Sequence, residues 1–292
     1  MSKSRAEVRL NRYVGDLDKS TKVLEIGALH RPTLNPRDFN IKFADFTDTE
    51  TLRKNYASMP GYNTDDIVNV DYIIGDGDYQ SVFKQDKFDL VLGSHVGEHM
   101  PDFVGWLYRV YNILDTGGVL SLILPDKRYT FDFIRADTHV SEWIDNYEKN
   151  LTRPSSSQIY YHIFEHVRLE GANLWDVGEG ITLKRSHTDD EAWEICRNTF
   201  MAKSYFDTHC SILTPKSFFR NLCRLEEAGL MPFELEALYD TEPNEIDFQV
   251  RLRRPPEGSR RTISDYKFNF DESPKYEVNH RGDEIMIHKN KY

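Results

Sequence analysis

Long apolar runs are absent from this chain of 292 residues. No stretch approaches the roughly 20 apolar residues that a membrane-spanning helix needs. The first residues, Met1 to Arg9, contain no apolar segment of the kind that marks a secretory signal. Cysteine is scarce: Cys196, Cys210 and Cys223 are the three present, and none forms a CxxC pair. An odd, scattered set argues against a disulfide framework and makes a reducing, cytoplasmic setting the expectation. A basic excess is also missing. With 37 Lys and Arg against 48 Asp and Glu, the net charge is -11, which disfavours nucleic acid as a partner because duplex binders present a basic face. Internal repeats and low-complexity tracts are absent too. What is present is a globular composition, 39% hydrophobic and 13% aromatic, enough to build a sizeable core.

The apolar pattern then alternates between short runs and helical periods. A helix is expected within residues 4–18, on Val8, Tyr13, Val14 and Leu17. Lys22–Ile26, Ile41–Ala44, Tyr72–Ile74, Phe88–Leu92 and Val119–Leu124 read as five buried strands. Helices are expected from Asp48 to about Met59 and over Pro101–Leu114, the latter ended by Gly117-Gly118. Near-continuous apolar strands separated by helices predict a parallel sheet covered on both faces. Residues 126–212 break that rhythm, with helical character at Ser157–Glu170 and Asp189–Tyr205 around the Gly-rich stretch Val177–Ile181. Regular order returns with a helix at Pro215–Ala228, capped by Thr214 and stopped by Gly229, and strands at Phe233–Leu238 and Ile246–Leu252. The short acidic joint between those strands predicts an antiparallel pair. The tail has weak alternation at Glu284–His288. The expected organisation is a core of residues 1–125 and 213–255, a helical lid or substrate insertion at 126–212, and a C-terminal arm at 256–292.

Ligands on such sheets bind outside the carboxyl ends of the strands. Each of the first four strand ends carries polar side chains there: Glu25, Asp45, Asp76, and Ser94 with His95. Glycine at Gly27 lets backbone approach the same ligand closely. Four coincident polar strand ends predict a nucleoside cofactor lying across the sheet edge.

With those residues in place, the pattern resembles the class I S-adenosylmethionine-dependent methyltransferases. It is nearest to the type-11 group, which carries a Glu-His pair after its fourth strand. The resemblance covers about residues 20–125 and 212–254 and rests on Glu25-Ile-Gly27, Asp45, Asp76-Gly77, the run from Phe88 to His99, and the run from Leu114 to Pro125. It implies a Rossmann-like, seven-stranded, mostly parallel sheet with an antiparallel last strand, plus a largely helical insertion after the fifth strand. It also implies S-adenosyl-L-methionine as cofactor. Gly27, Ala28 and Leu29 would approach its methionine part, and Glu25 its ammonium. Asp45, with Phe46 beside it, would hold the ribose. Asp76 would accept from the adenine amino group, Gly77 would offer a backbone N–H, and Ser94, His95 and His99 would lie alongside. The chain departs from the family where further glycines usually follow Gly27: it reads Ala28-Leu29-His30-Arg31-Pro32, a bulkier loop.

Methyl transfer from a sulfonium asks the protein for alignment, water exclusion and, for a hydroxyl acceptor, a base. Histidine suits that base. His209, where the insertion returns to the sheet, leads His95 and His162 as the catalytic candidates. Lys127, Arg128, Tyr129, Arg135 and His166 are candidates for the acceptor site, the cations suiting an anionic group. His162-Ile-Phe-Glu165-His166 matches an H-x-x-E-H metal pattern. However, it lies within an insertion on a different fold, and aromatic or lid packing is the plainer reading. The fourth strand lacks both the Asn/Asp-Pro-Pro-aromatic signature of nucleic-acid amine methylation and an aspartate-rich metal arrangement. The expectation is therefore a metal-free methyltransferase of a small polar metabolite, acting on oxygen of a carbohydrate or nucleotide-activated sugar. The alternative is a cofactor-binding regulatory or assembly subunit without turnover.

Overall fold

The computed structural model describes residues 4–75, 77–168, 174–176, 181–202, 204–258, 261–268, 270, 276–281 and 284–289. In chain order the elements are α1 (Arg5–Val14), β1 (Val23–Ile26), β2 (Ile41–Asp45), α2 (Thr49–Tyr56), β3 (Tyr72–Ile73), α3 (Tyr79–Phe83), β4 (Phe88–Ser94), α4 (Phe103–Ile113) and β5 (Leu114–Pro125). There follow α5 (Val140–Glu148), α6 (Ser156–Phe164), β6 (Val167–Arg168), β7 (Ile181–Arg185), α7 (Asp189–Ala202), α8 (Pro215–Glu227), β8 (Glu234–Tyr239), β9 (Asp247–Arg253), β10 (Tyr276–Arg281) and β11 (Glu284–Lys289). Local chemistry sets many of the boundaries. Asp48, Asp102 and Thr214 accept a backbone N–H at the starts of α2, α4 and α8, each cap contributing on the order of 1 kcal/mol. Gly229, at φ 72, follows α8 in the left-handed region.

The main sheet runs β3-β2-β1-β4-β5-β9-β8. Strands β1 to β5 are mutually parallel, and β9 lies antiparallel between β5 and β8. This is the Rossmann-like sheet expected from the sequence. Its faces follow from residue alternation. On β4, Leu90 and Leu92 pack towards α1 with Tyr13, Val14 and Val119. Val91, between them, faces the larger cluster containing Leu107, Leu120, Phe218, Leu222 and Val250. The register pairs Ile26 with both Ala44 and Gly93, so the carboxyl ends of β1, β2 and β4 lie level. The chain leaves β1 for β2 and β3 on one side and for β4 and β5 on the other, so this edge is the topological switch point, where ligands of such sheets bind.

Two expectations need correcting. Gly117-Gly118 does not precede the fifth strand but lies within it, at a register shift opposite Phe88 and Leu90. A Cβ on Gly118 would stand 3.0 Å from the Phe88 carbonyl oxygen, which makes glycine fit the bulge. The insertion is also less helical than the sequence suggests. The periodicity over Ser157–Glu170 overshoots α6, which ends at Phe164 and gives way to β6. A second sheet, β10-β11-β7-β6, joins the insertion to the tail, with Ile285 paired to Leu183. Val167, Leu183, Ile285, Leu174 and Phe133 form its small core. The weak alternation at Glu284–His288 is thus a strand, whereas most of the Gly-rich stretch at 177–181 lies outside the described residues. Among the described residues no helix is long and apolar enough to cross a membrane.

Candidate functional site

The loop after β1 is shaped by Gly27. Its φ is +71, and a Cβ there would meet Val96 Cγ2 at 2.8 Å, so glycine is required by both conformation and space. Ala28 is half-buried. Leu29 also adopts the left-handed region, at φ 48, and its carbonyl accepts the Val68 N–H at 2.9 Å. Glu25 is buried and turned into this loop. It accepts the Thr33 N–H at 3.0 Å and the Thr33 hydroxyl at 2.6 Å. Burial outweighs those bonds and raises its carboxyl to about 7. Glu25 therefore braces the loop that a cofactor would touch.

At the end of β2, Asp45 is buried and accepts the Phe46 N–H at 2.8 Å. Burial lifts it to about 6. Phe46 is 49% exposed and stacks on Tyr205 at 6.3 Å, which brings the returning insertion over this edge. His30 and Tyr56 both pack on Tyr62 nearby, at 4.7 Å. The expected adenine partner, Asp76, lies outside the described residues. Gly77 has φ +98, and its N–H donates to the Ile74 carbonyl at 2.9 Å, so in this state that donor is used within the turn.

At the end of β4, Ser94 is half-buried and His95 takes φ 53. His95 Nε2 lies 3.2 Å from Asp247, and Nδ1 lies 3.5 Å from Glu98. Burial opposes its charge, but these carboxylates outweigh burial and raise His95 to about 10. It is thus a cation at neutral pH and has no lone pair for a base. Glu98 is fully buried. Burial pushes its carboxyl up, yet His95, His99 and His209 together hold it below its ordinary range. His99 sits 3.7 Å from Glu98 through Nε2 and 2.8 Å from Asp207 through Nδ1. Its ring meets His209 edge-on at 4.8 Å.

His209 arrives from far along the chain because residues 210 and 211 dock on the turn after β4. The Cys210 and Ser211 N–H groups both donate to the Glu98 carbonyl, at 2.7 and 3.0 Å. His209 Nδ1 pairs with Asp132 at 2.5 Å, and Asp132 in turn accepts from Arg135 at 2.7 Å. Arg135 closes the ring by donating to the His209 carbonyl at 3.1 Å. Burial opposes ionisation of Asp132, but His209 and Arg135 win and hold it well below the carboxylate range. His162 and His166 flank the same spot around Phe131. Burial lowers His162 to about 3, keeping it neutral. His166 Nδ1 is engaged with Ser186 Oγ at 2.7 Å. The H-x-x-E-H pattern does not form one helical face, because α6 ends at Phe164, before His166.

The structure therefore brings His95, His99, His162, His166 and His209 into one cluster beside the edge carrying Gly27 and Asp45. It places the expected acceptor cations differently. Arg128 is bonded to Asp126 and Asp240. Arg135 is buried on Asp132. Lys127 donates to the Arg135 carbonyl and lies 3.7 Å from Asp137. Each cation is engaged by a carboxylate or carbonyl of the protein, although the buried Arg135 Nε has no hydrogen-bond partner. Tyr129 stacks flat on Trp175 at 3.9 Å. Glu98, Asp132, Asp207 and Asp247 were not among the site residues expected from sequence. The local signals were the Glu98-His99 pair after the fourth strand and Asp207 standing two residues before His209. A 410 Å³ cavity lies at the opposite, amino-terminal end of the sheet, between Arg12, Asp89 and Arg251. It gathers none of the strand-end groups, and ligands of such sheets bind at the other end.

No family model matches the sequence, and no curated protein matches it. Solved structures do align with it. The CurJ carbon methyltransferase is 17% identical over 82% of this chain and 49% of its own, with a TM-score of 0.36, so the chain spans about half of that protein. A putative S-adenosylmethionine-dependent methyltransferase from Listeria monocytogenes is 11% identical over 85% of this chain and 97% of its own, with a TM-score of 0.42. A protein from Rhodobacter sphaeroides described as a putative Zn-dependent alcohol dehydrogenase is 12% identical over 87% and 92%, with a TM-score of 0.47. All three scores are below 0.5, and the functional reading rests on the residues of the site itself.

Proposed function

We propose that the chain is an S-adenosylmethionine-dependent methyltransferase acting on an oxygen of a small polar metabolite. The observation that carries this is the level edge of β1, β2 and β4. There a left-handed Gly27 and a buried Asp45 flank the turn bearing Ser94, His95 and His99. A carboxylate at Asp45 can accept from both hydroxyls of a ribose, and the approach of backbone at Gly27 suits the amino-acid end of the cofactor. His209 is the imidazole best arranged to accept a proton from a hydroxyl: Asp132 holds Nδ1 and thereby leaves the Nε2 lone pair available. Because Lys127, Arg128 and Arg135 are internally paired, a neutral, hydroxyl-rich acceptor such as a sugar ring fits better than an anion held by those cations. A nucleotide-activated sugar fits only where its anionic diphosphate lies away from those paired cations. The core, lid and arm expected from sequence fit this reading, with residues 126–212 closing over the edge to exclude water.

The test is calorimetry with S-adenosylmethionine followed by transfer of a labelled methyl group to a panel of sugars and nucleotide sugars. Binding with turnover on a hydroxylated acceptor is the expected result. Failure to bind at millimolar cofactor overturns the proposal. A second reading is favoured by Leu29, which occupies a left-handed position where glycine is the usual occupant: a cofactor-binding subunit without turnover. Binding with no transfer to any acceptor selects it.

A further inference from the structure

Among the described residues, the carboxylate of Glu98 is a buried group that the fold leaves unpartnered. Its side chain is fully buried, and neither carboxylate oxygen has a hydrogen-bond partner. An ionised carboxylate in that state is costly unless something compensates it. The imidazole nitrogens paired with it, on His95 and His99, stand 3.5 and 3.7 Å away, too far for a good hydrogen bond. Around Glu98 the imidazoles of His99 and His209 converge. One ligand atom from each of Glu98, His99 and His209 lies within 4.8 Å of the others. Each imidazole is backed on its Nδ1 side by a second carboxylate, Asp207 at 2.8 Å for His99 and Asp132 at 2.5 Å for His209. A carboxylate hydrogen-bonded at Nδ1, as Asp132 is to His209, fixes the tautomer and presents the Nε2 lone pair, the arrangement found behind metal-ligating histidines. Asp207 stands in ion-pair range of His99 Nδ1 without making that hydrogen bond.

We infer that Glu98, His99 and His209 form a binding site for a divalent first-row transition-metal ion of the zinc type. Two imidazoles and one carboxylate suit such an ion in ligand type, and three protein ligands leave an open position of the catalytic kind. Donors around one tetrahedral ion at about 2.1 Å stand roughly 3.4 Å apart, so from separations within 4.8 Å the three side chains close by up to about 1.4 Å on loading. This proposal departs from the metal-free expectation drawn from the sequence. The ion would compensate the buried Glu98 charge and use the His209 lone pair that otherwise accepts a proton. Where the proposed methyltransferase function holds, on which this role depends, a hydroxyl in the open position would be acidified by the ion. His209 would then act as ligand and not as base.

The experiment uses the full chain, stripped with a chelator and titrated separately with Zn2+ and Co2+. One ion bound per chain is expected. Co2+ should give the visible absorption of a four- or five-coordinate centre, and zinc X-ray absorption should show two imidazole nitrogens and one carboxylate oxygen. Glu98→Gln and His209→Ala should each weaken binding by at least about 100-fold, while His166→Ala, in the neighbouring imidazole pair, should bind like the parent. No stoichiometric binding, an absorption spectrum without two imidazoles, retained affinity in both ligand variants, or loss in His166→Ala alone would each overturn the assignment. The X-ray absorption measurement needs no variant, so it decides the matter even if Glu98→Gln fails to fold. Parallel titration with S-adenosylhomocysteine separates the two proposals: cofactor binding without metal binding removes only the ion.

Discussion

The edge proposed for a nucleoside and the histidine cluster lie side by side but are built in opposite ways. At the edge, Glu25, Gly27 and Asp45 occupy strand ends, and their partners are close in sequence: Thr33 for Glu25 and Phe46 for Asp45. In the cluster, Glu98 faces His95 and His99 from its own turn and His209 from the end of the insertion, and these three histidines pair in turn with Asp247, Asp207 and Asp132. The edge is a property of the sheet and exists as soon as the strands are in register. The cluster exists only when the insertion has docked. The contrast suggests that cofactor affinity depends on the core, whereas acceptor chemistry depends on how residues 207–211 return to it.

The sharpest way to break the contrast is to unpair the cluster. Asp132→Asn leaves the buried Arg135 and His209 without their shared carboxylate. Removing one partner of a buried ion pair typically destabilises by about 3–5 kcal/mol. Urea unfolding should show a loss of that order, and a change below about 1 kcal/mol would mean the pair contributes little to docking.

The edge should report itself through pH. Glu25 titrates at about 7 in the folded chain against an ordinary 4.5, so the folded state keeps a proton that the unfolded state has lost. Its contribution is fully present below pH 4.5 and is lost as pH rises through about 7. The loss totals about 3 kcal/mol. Asp45, raised from 3.8 to about 6, acts in the same direction over its own range. Glu25→Gln carries no charge at either pH and should flatten the slope of stability against pH between those limits. An unchanged slope would show that Glu25 is not the titrating group.

A smaller effect is expected at the loop. Gly27→Ala places a Cβ in the left-handed region and against Val96, at 2.8 Å, and should destabilise by about 1–3 kcal/mol. Because Gly27 also shapes the edge, the variant should bind S-adenosylhomocysteine more weakly even where thermal melting shows it folded. Parent-like affinity and melting would remove Gly27 from both roles.

The legibility of the two regions follows their construction. Strands β1 to β5 and their helices could be read because apolar periodicity and caps such as Asp48 and Thr214 act over a few residues. Gly27 and Asp45 could be read because a strand end fixes where its next side chains stand. The second sheet could not, since β7 pairs with β11 about a hundred residues later, and a short alternation names no partner. Nor could the pairing of Lys127, Arg128 and Arg135, which depends on carbonyls and carboxylates that folding brings in, including Asp240 from beyond β8. His209 could be singled out from its place in the chain. Its pairing with Asp132, 77 positions away, and its convergence on Glu98 required the fold.

The central claim is that the level ends of β1, β2 and β4 form a nucleoside-cofactor site in which Asp45 holds the ribose. Calorimetric titration of S-adenosylhomocysteine into the parent protein and into Asp45→Ala tests it most directly. Hydrogen bonds to a charged acceptor contribute about 1.5–3 kcal/mol each, so the variant should bind at least about tenfold more weakly with a melting temperature no lower than the parent's. Equal affinities, or no binding by the folded parent at millimolar ligand, would contradict the account.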